Sequence, residues 1–290
     1  MPRGAPFTQL CQLASPGHRA IVADLHSHST ASDGESAPAE VVALALKRKL
    51  RVLSLTDHDT FAGYSEAFIA ARDAGLSLVV GAELSCEWVG REVHLLGYFP
   101  AVPGEPLSSE CSEMQQTRRL RFDDAIERLR FSGAAIAEEC IEQVCLGVSS
   151  LGRRHLTKLL KLAGVAADSR TAWASWLGPI FGDVLPKRLI PLERACALIA
   201  TAGGFNSLAH PHPELERTDF ESLRAVGLTA IEVNFPAAKS GRRTDLERWA
   251  RELGLHRTGG SDFHSIGPLR ELGQCGLTGE EFARLPVRAI

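Results

Sequence analysis

Short apolar runs alternate with amphipathic stretches along most of the chain. Residues 21–28, IVADLHSH, read as a buried strand that ends in polar residues. Residues 36–50, SAPAEVVALALKRKL, carry apolar positions at helical spacing, with Pro38 suited to a first turn and Lys47, Arg48 and Lys49 to a last turn. The rhythm repeats. RVLSLTDHD (51–59) is a strand, and FAGYSEAFIAARDAG (61–75) is a helix stopped by Gly75. LSLVVGAELSC (76–86) and EVHLLGYF (92–99) are two further strands. Strands alternating with helices in this way predict βα units and a largely parallel sheet.

After Phe99 the pattern changes. PAVPGEP reads as a hinge, and the chain to Gly182 is helical, most clearly in MQQTRRLRFDDAIERLRFSG (114–133) and GRRHLTKLLKLAG (152–164). This is an inserted helical subdomain over 101–182. The alternation resumes with PLERACALIATAG, GFNSLAHP, DFESLRAVG, AIEVNFP, RTDLERWARELG and HRTGGSDFH. The expected organisation is an N-terminal extension (1–20), a catalytic barrel (21–100 and 183–290) and the insert.

Composition narrows the classes. A net charge of −3 argues against a general nucleic-acid coat or a membrane-surface protein, while leaving room for a local basic pocket. No apolar run reaches the length of a membrane span, and the first twenty residues lack a signal-peptide core. Seven cysteines without a C-x-x-C pair fit reduced thiols in a cytoplasm.

The candidate chemistry lies at the strand ends. The first ends in His26 and His28, with Asp33 just beyond. The second ends in Asp57, His58 and Asp59. Glu83 closes the third, His94 lies on the fourth, His210 ends a later one, and Asp262 and His264 end the last. In parallel βα architectures these ends share one edge, where the active site forms. Residues two apart on a strand face the same way, so the pairs His26/His28 and Asp262/His264 can each grip one ion, or be split between neighbouring ions once the chain leaves the strand. Each motif alone has a bland reading as turn, cap or loop. Six strand ends carrying metal-ligand types together point to a metal site. Donors of imidazole and carboxylate without thiolate suit Mn, Fe or Zn.

DLHSHSTASDG, LSLTDHDT, GAELSC, VHLLGYF, LAHP and GGSDFH, in this order, resemble the motifs of the PHP (polymerase and histidinol phosphatase) family. The insert, with GRRHLTKLL, is similar to one branch, the phosphoesterases of nucleoside 3′,5′-bisphosphates and of short RNA from the 5′ end. The resemblance implies an α/β fold, a distorted seven-stranded β/α barrel with three divalent ions, Mn first and Fe or Zn also compatible. It assigns His26, His28, Glu83 and Asp262 to one ion. Glu83 bridges to a second held by His94 and His210, and Asp33, His58 and His264 hold the third. It gives catalytic roles to Asp33, His58, His210 and His264, and a substrate-phosphate grip to Arg153, His155 and Lys187. Arg154 stands where the branch usually has Pro, and HPE replaces its usual Gly-Arg-Tyr.

Asp57 or Asp59 could orient an imidazole or cap a helix, and His212 is expected in an exposed loop. The implied function is metal-dependent phosphoester hydrolysis of a small phosphorylated substrate or short RNA end, without a membrane or an obligate protein partner. The competing readings are a histidinol-phosphate-type phosphatase, a C–N hydrolase on a related barrel, and a non-catalytic metal- and nucleotide-binding module.

Overall fold

The computed structural model describes residues 20–267 and 271–287. The expected extension, 1–20, lies outside them except for Ala20. Strand β1 (Ala23–Asp24) runs parallel to β2 (Val52–Leu55), and β2 parallel to β3 (Ser77–Trp88). Helix α1 (Pro38–Lys47) joins the first pair and α2 (Tyr64–Ala74) the second. In α1, Pro38 occupies the first turn, where its missing N–H costs nothing, and Glu40 accepts a hydrogen bond from Ala37 N. Its Val41, Val42 and Ala45 are buried against the sheet. Helix α2 stops where Gly75 turns left-handed, at φ 72°.

Strand β4 (Arg91–Phe99) departs from the expected parallel order. It pairs antiparallel with β3, because only Val89 and Gly90, both at positive φ, separate the two strands. No helix crosses over, so the chain reverses. The hairpin brings His94 to the edge that holds the other candidate ligands.

The chain then leaves the barrel through α3 (Leu107–Phe131), α4 (Glu138–Cys145) and α5 (Arg153–Leu162), followed by short helical turns over 169–180. Phe122, Leu129, Val144, Leu156, Leu159 and Leu177 belong to an apolar cluster distinct from those of the barrel. Helix α3 is shared. Its N-terminal half sends Leu107, Cys111 and Met114 into the barrel core, and its second half sends Phe122, Ile126 and Leu129 into the insert core.

The two-residue β5 (Ile190–Pro191) pairs with β3, and α6 (Leu192–Thr201) leads to β6 (Phe205–Leu208), antiparallel to β4. Helices α7 (Arg217–Ala225) and α8 (Ser240–Leu253) connect β6 to β7 (Ala230–Asn234) and β7 to β8 (His256–Gly259), all parallel. A four-residue helix, α9 (Gly279–Phe282), follows. Seven strands thus run β1-β2-β3-β4-β6-β7-β8. Leu25 N donates to Gly259 O and His28 N to Phe263 O, nearly closing the ring. The result is a nearly closed seven-strand α/β barrel.

Among the described residues, no helix is long and apolar enough to cross a membrane.

Candidate metal centre

The two strand-end pairs differ from their sequence pattern. His26 and His28 lie just past β1, and both Nε2 atoms face Glu83 Oε2, at 3.4 and 3.2 Å. Asp262 and His264 are not on a strand. β8 ends at Gly259, Asp262 sits at φ 49°, and the chain folds so that His264 Nδ1 meets the Asp262 carbonyl at 2.8 Å. The tight approach explains Gly260: a Cβ there would lie 2.3 Å from the His26 side chain.

All nine candidate ligands converge. Asp262 Oδ1 stands 3.6 Å from His26 Nε2 and 3.5 Å from His28 Nε2. The other Glu83 oxygen, Oε1, is 3.0 Å from His94 Nδ1 and 3.0 Å from His210 Nε2. Asp33 Oδ1 is 3.2 Å from His264 Nε2 and 3.8 Å from His58 Nε2. His58 faces two ways, since its Nδ1 lies 3.0 Å from Glu83 Oε2. Gly34 lets the loop behind Asp33 pack closely, because a Cβ would meet His28 O at 2.6 Å.

Three further residues shape the cluster. Glu232 Oε1 is 3.1 Å from His26 Nδ1, and its Oε2 accepts from His210 N at 2.6 Å. Sequence reasoning did not single it out, although it is the one charged residue in the apolar strand AIEVNFP. Asp57 neither orients an imidazole nor caps a helix. It accepts from Ser29 N, Ser29 Oγ and Ser32 Oγ and so fixes the loop that presents Asp33. Asp59 accepts from Ser85 N and Oγ and from Arg118 Nε. Arg118 was also missed, yet it lies on the apolar stripe of α3 between Met114 and Phe122.

Burial and charge set the protonation. Burial raises the Glu83 and Asp33 carboxyls, but the surrounding imidazoles hold both well below the usual range. Burial opposes charge on His28, and Asp262 and Glu83 overcome it, raising its pKa to about 10. Glu83 does the same for His94, to about 9. For His58 burial wins, and the value falls to about 4.

The donor set fits cations. His26 Nε2, both nitrogens of His28, Asp33 Oδ1, His58 Nδ1, Glu83 Oε2 and His94 Nδ1 are buried without a hydrogen-bond partner. Orphaned buried polar atoms are costly unless something binds them. Four overlapping groups of these residues bring their donor atoms within 4.8 Å of one another. Three carboxylates among six imidazoles supply the negative charge and the nitrogen donors that Mn, Fe or Zn require.

The residues expected to grip phosphate are placed unequally. Arg153 is exposed at the start of α5 and lines a cavity of about 330 Å³ together with His94 and His210. It also lines a second, smaller cavity with Arg118, Arg121 and Lys187. Lys187 Nζ lies 2.5 Å from Glu92, whose Oε1 is 3.1 Å from His94 Nε2. His155 is buried, and its Nδ1 accepts from Gly152 N. It therefore secures the helix start. Arg154 Nε stands 3.9 Å from Asp33 Oδ2. His212 is exposed, as expected of a loop residue.

A family model described as the PHP domain matches residues 24–164. The chain is 33% identical over 254 residues to the 3′,5′-nucleoside bisphosphate phosphatase of Chromobacterium violaceum, covering 84% of this chain and 87% of that protein. It is 30% identical over 246 residues to the 5′-3′ exoribonuclease of Haemophilus influenzae, covering 83% and 89%. The fold superposes on a structure described as a metal-dependent phosphoesterase of Bifidobacterium adolescentis with TM-score 0.82 and 28% identity, over 90% of this chain and 94% of that one. A Chromobacterium violaceum structure described as an amidohydrolase with bound sulfate gives TM-score 0.77 and 30% identity, over 88% and 90%.

Proposed function

The chain belongs to the PHP domain family, and from that premise we propose that it hydrolyses a phosphate ester of a small nucleotide, such as a nucleoside 3′,5′-bisphosphate, or of the 5′ end of a short RNA. It is an enzyme, a metal-dependent phosphoesterase. The finer reading adds a centre of three divalent ions held by His26, His28, Asp33, His58, Glu83, His94, His210, Asp262 and His264. Such ions lower the pKa of a bound water and neutralise an anionic ester.

One observation carries the substrate reading. Arg153 lines the cavity that His94 and His210 share, and also the adjoining cationic cavity with Lys187. A substrate whose reacting phosphate sits at the imidazoles can thus place a second phosphate against Arg153 and Lys187. Binding energy from the non-reacting phosphate then orients the reacting one. Glu92 Oε1 contacts both Lys187 Nζ and His94 Nε2 and so links this grip to the imidazoles. The relatives named for bisphosphate and RNA substrates support the same class. The amidohydrolase description of one structural neighbour favours C–N hydrolysis as a second reading. Glu83 rather than a lysine at the centre of the cluster weighs against it.

Phosphate release decides between the readings. The substrates are a nucleoside 3′,5′-bisphosphate, a 5′-phosphorylated oligoribonucleotide, a mononucleotide, histidinol phosphate and an aryl phosphate, each with and without chelator. We expect preference for the first two, loss of turnover on chelation and recovery with Mn. A mononucleotide hydrolysed as well as the bisphosphate would refute the two-phosphate reading. Chelator-resistant turnover would refute the metal centre.

A further inference from the structure

Helix α3 buries nine residues, of which Leu107, Cys111, Met114, Phe122, Ala125, Ile126 and Leu129 are apolar or thiol and Glu110 and Arg118 are charged. The barrel core takes Leu107, Cys111 and Met114, and the insert core takes Phe122, Ala125, Ile126 and Leu129. Arg118 stands at the changeover. An apolar side chain there would simply merge the two cores. A desolvated guanidinium is expensive to keep, and a stability role alone does not favour it, since buried ion pairs often stabilise less than apolar packing of equal volume.

Its donors go to three separate segments. Nε and Nη2 reach Asp59 Oδ2 at 2.7 and 2.6 Å, Nη2 also donates to Ser85 Oγ at 2.9 Å, and Nη1 donates to Leu151 O at 2.9 Å. Asp59 follows His58, Ser85 lies two residues after Glu83, and Leu151 lies two residues before Arg153. Gln115, one turn earlier on α3, adds a bond from Nε2 to Asp59 O at 2.8 Å. Asp59 itself holds a left-handed backbone, φ 52°, uncommon for a non-glycine residue although aspartate tolerates it better than most.

We infer that Arg118 is a positioning residue that fixes the start of α5, and with it Arg153, relative to His58 beyond the end of β2 and Glu83 midway along β3. The inference rests on the reading of Arg153 as a phosphate contact. The planar fork of arginine suits the task, because one rigid group holds all three segments in register. Arg118 borders the smaller cavity with Arg153 and Lys187, but its guanidinium donors are taken by Asp59, Ser85 and Leu151 and reach no candidate metal ligand, so its effect is on the spacing between the two phosphate positions. Substrates with two phosphates sense that spacing, and substrates with one do not.

Arg118→Lys keeps the charge against Asp59 but cannot reproduce the three-way fork. We expect bound metal per chain to be retained and amide hydrogen exchange over residues 151–156 to quicken. The ratio of kcat/KM for a nucleoside 3′,5′-bisphosphate to that for an aryl phosphate should fall about 10-fold, mainly through KM, as expected for one charge-assisted bond. Ser85→Ala, which removes one arm with little risk to folding, should lower the same ratio about 2- to 3-fold. Unaltered exchange over 151–156 in Arg118→Lys would overturn the bracing role. Equal losses on both substrates, or loss of metal, would overturn it in favour of a purely structural role. If the unaltered enzyme shows no preference for two phosphates, the substrate reading fails by itself, and the exchange measurement still tests the bracing.

Discussion

Glu232 stands 3.1 Å from Nδ1 of His26, on the side of the imidazole away from Glu83 and Asp262. This contact fixes the ring so that Nε2 points into the cluster. The second oxygen of the same carboxylate accepts from the backbone N–H of His210, which sits at φ 26°. One buried carboxylate therefore orients two candidate ligands that follow different strands, β1 and β6. Glu232→Gln puts an amide NH₂ against one of those two donors. Metal affinity should fall about 10- to 100-fold while the secondary structure is retained. A Mn titration of the purified variant checks this, and unchanged affinity would remove Glu232 from the site.

Asp33→Asn removes a charge and keeps the volume. The loop around it is held independently by Asp57 through Ser29 and Ser32. Turnover should drop by roughly two orders of magnitude or more with the thermal transition nearly unchanged. Near-normal kcat in a folded, metal-replete variant would rule out its assigned role.

Metal uptake should be pH-dependent. In the metal-free protein, burial opposes charge on His28 and His94, and the carboxylates of Asp262 and Glu83 overcome it, placing their pKa values at about 10 and about 9. A raised value means a proton retained at neutral pH, and ligation requires the neutral ring. The competing proton is lost as pH rises, so apparent Mn affinity should climb between pH 6.5 and 8.5, with proton release on binding. Calorimetry in two buffers of different ionisation enthalpy reads the release directly. A pH-independent affinity contradicts it.

Arg153→Ala tests the phosphate grip. A charge-assisted hydrogen bond is worth about 1.5–3 kcal/mol, so kcat/KM for a doubly phosphorylated substrate should fall about 10- to 100-fold. An aryl phosphate should lose far less. Equal losses would return the residue to a structural role.

Arg154 adds a second cation beside Arg153 at the start of α5. Its Nε is 3.9 Å from Asp33 Oδ2 and its side chain is 44% exposed. Solvent screens such a pair, so Arg154→Ala should lower kcat/KM by less than about 10-fold and flatten its dependence on salt. A loss exceeding that of Arg153→Ala would exchange the importance of the two arginines.

The strand and helix alternation was legible because periodicity records which face of each element is buried. The runs ending at His26, His58 and His210 read as apolar segments closing in ligand types, and the resemblance ordered them. Glu83, expected to close the third strand, lies midway along β3, which continues to Trp88 in the hairpin with β4. Gly75 and Pro38 marked helix limits for local conformational reasons. The reversal of β4 follows from the two-residue turn at Val89 and Gly90, whose backbone the strand pattern alone does not fix.

Long-range partners were decided only in three dimensions. Glu232 is 206 residues from His26, and Arg118 is 59 from Asp59 and 33 from Ser85 and Leu151. Nothing in the local pattern chooses among such pairings, because which buried charges meet depends on how the strands order themselves around the barrel. The sequence by itself determined the ligand types and the edge they share. The tertiary structure decided which nitrogen of His58 faces Asp33 and which faces Glu83, turned His155 inward to brace a helix, and left Arg153 facing the cavity. The physical reason is that ring orientation and burial are settled by packing against residues distant in the chain.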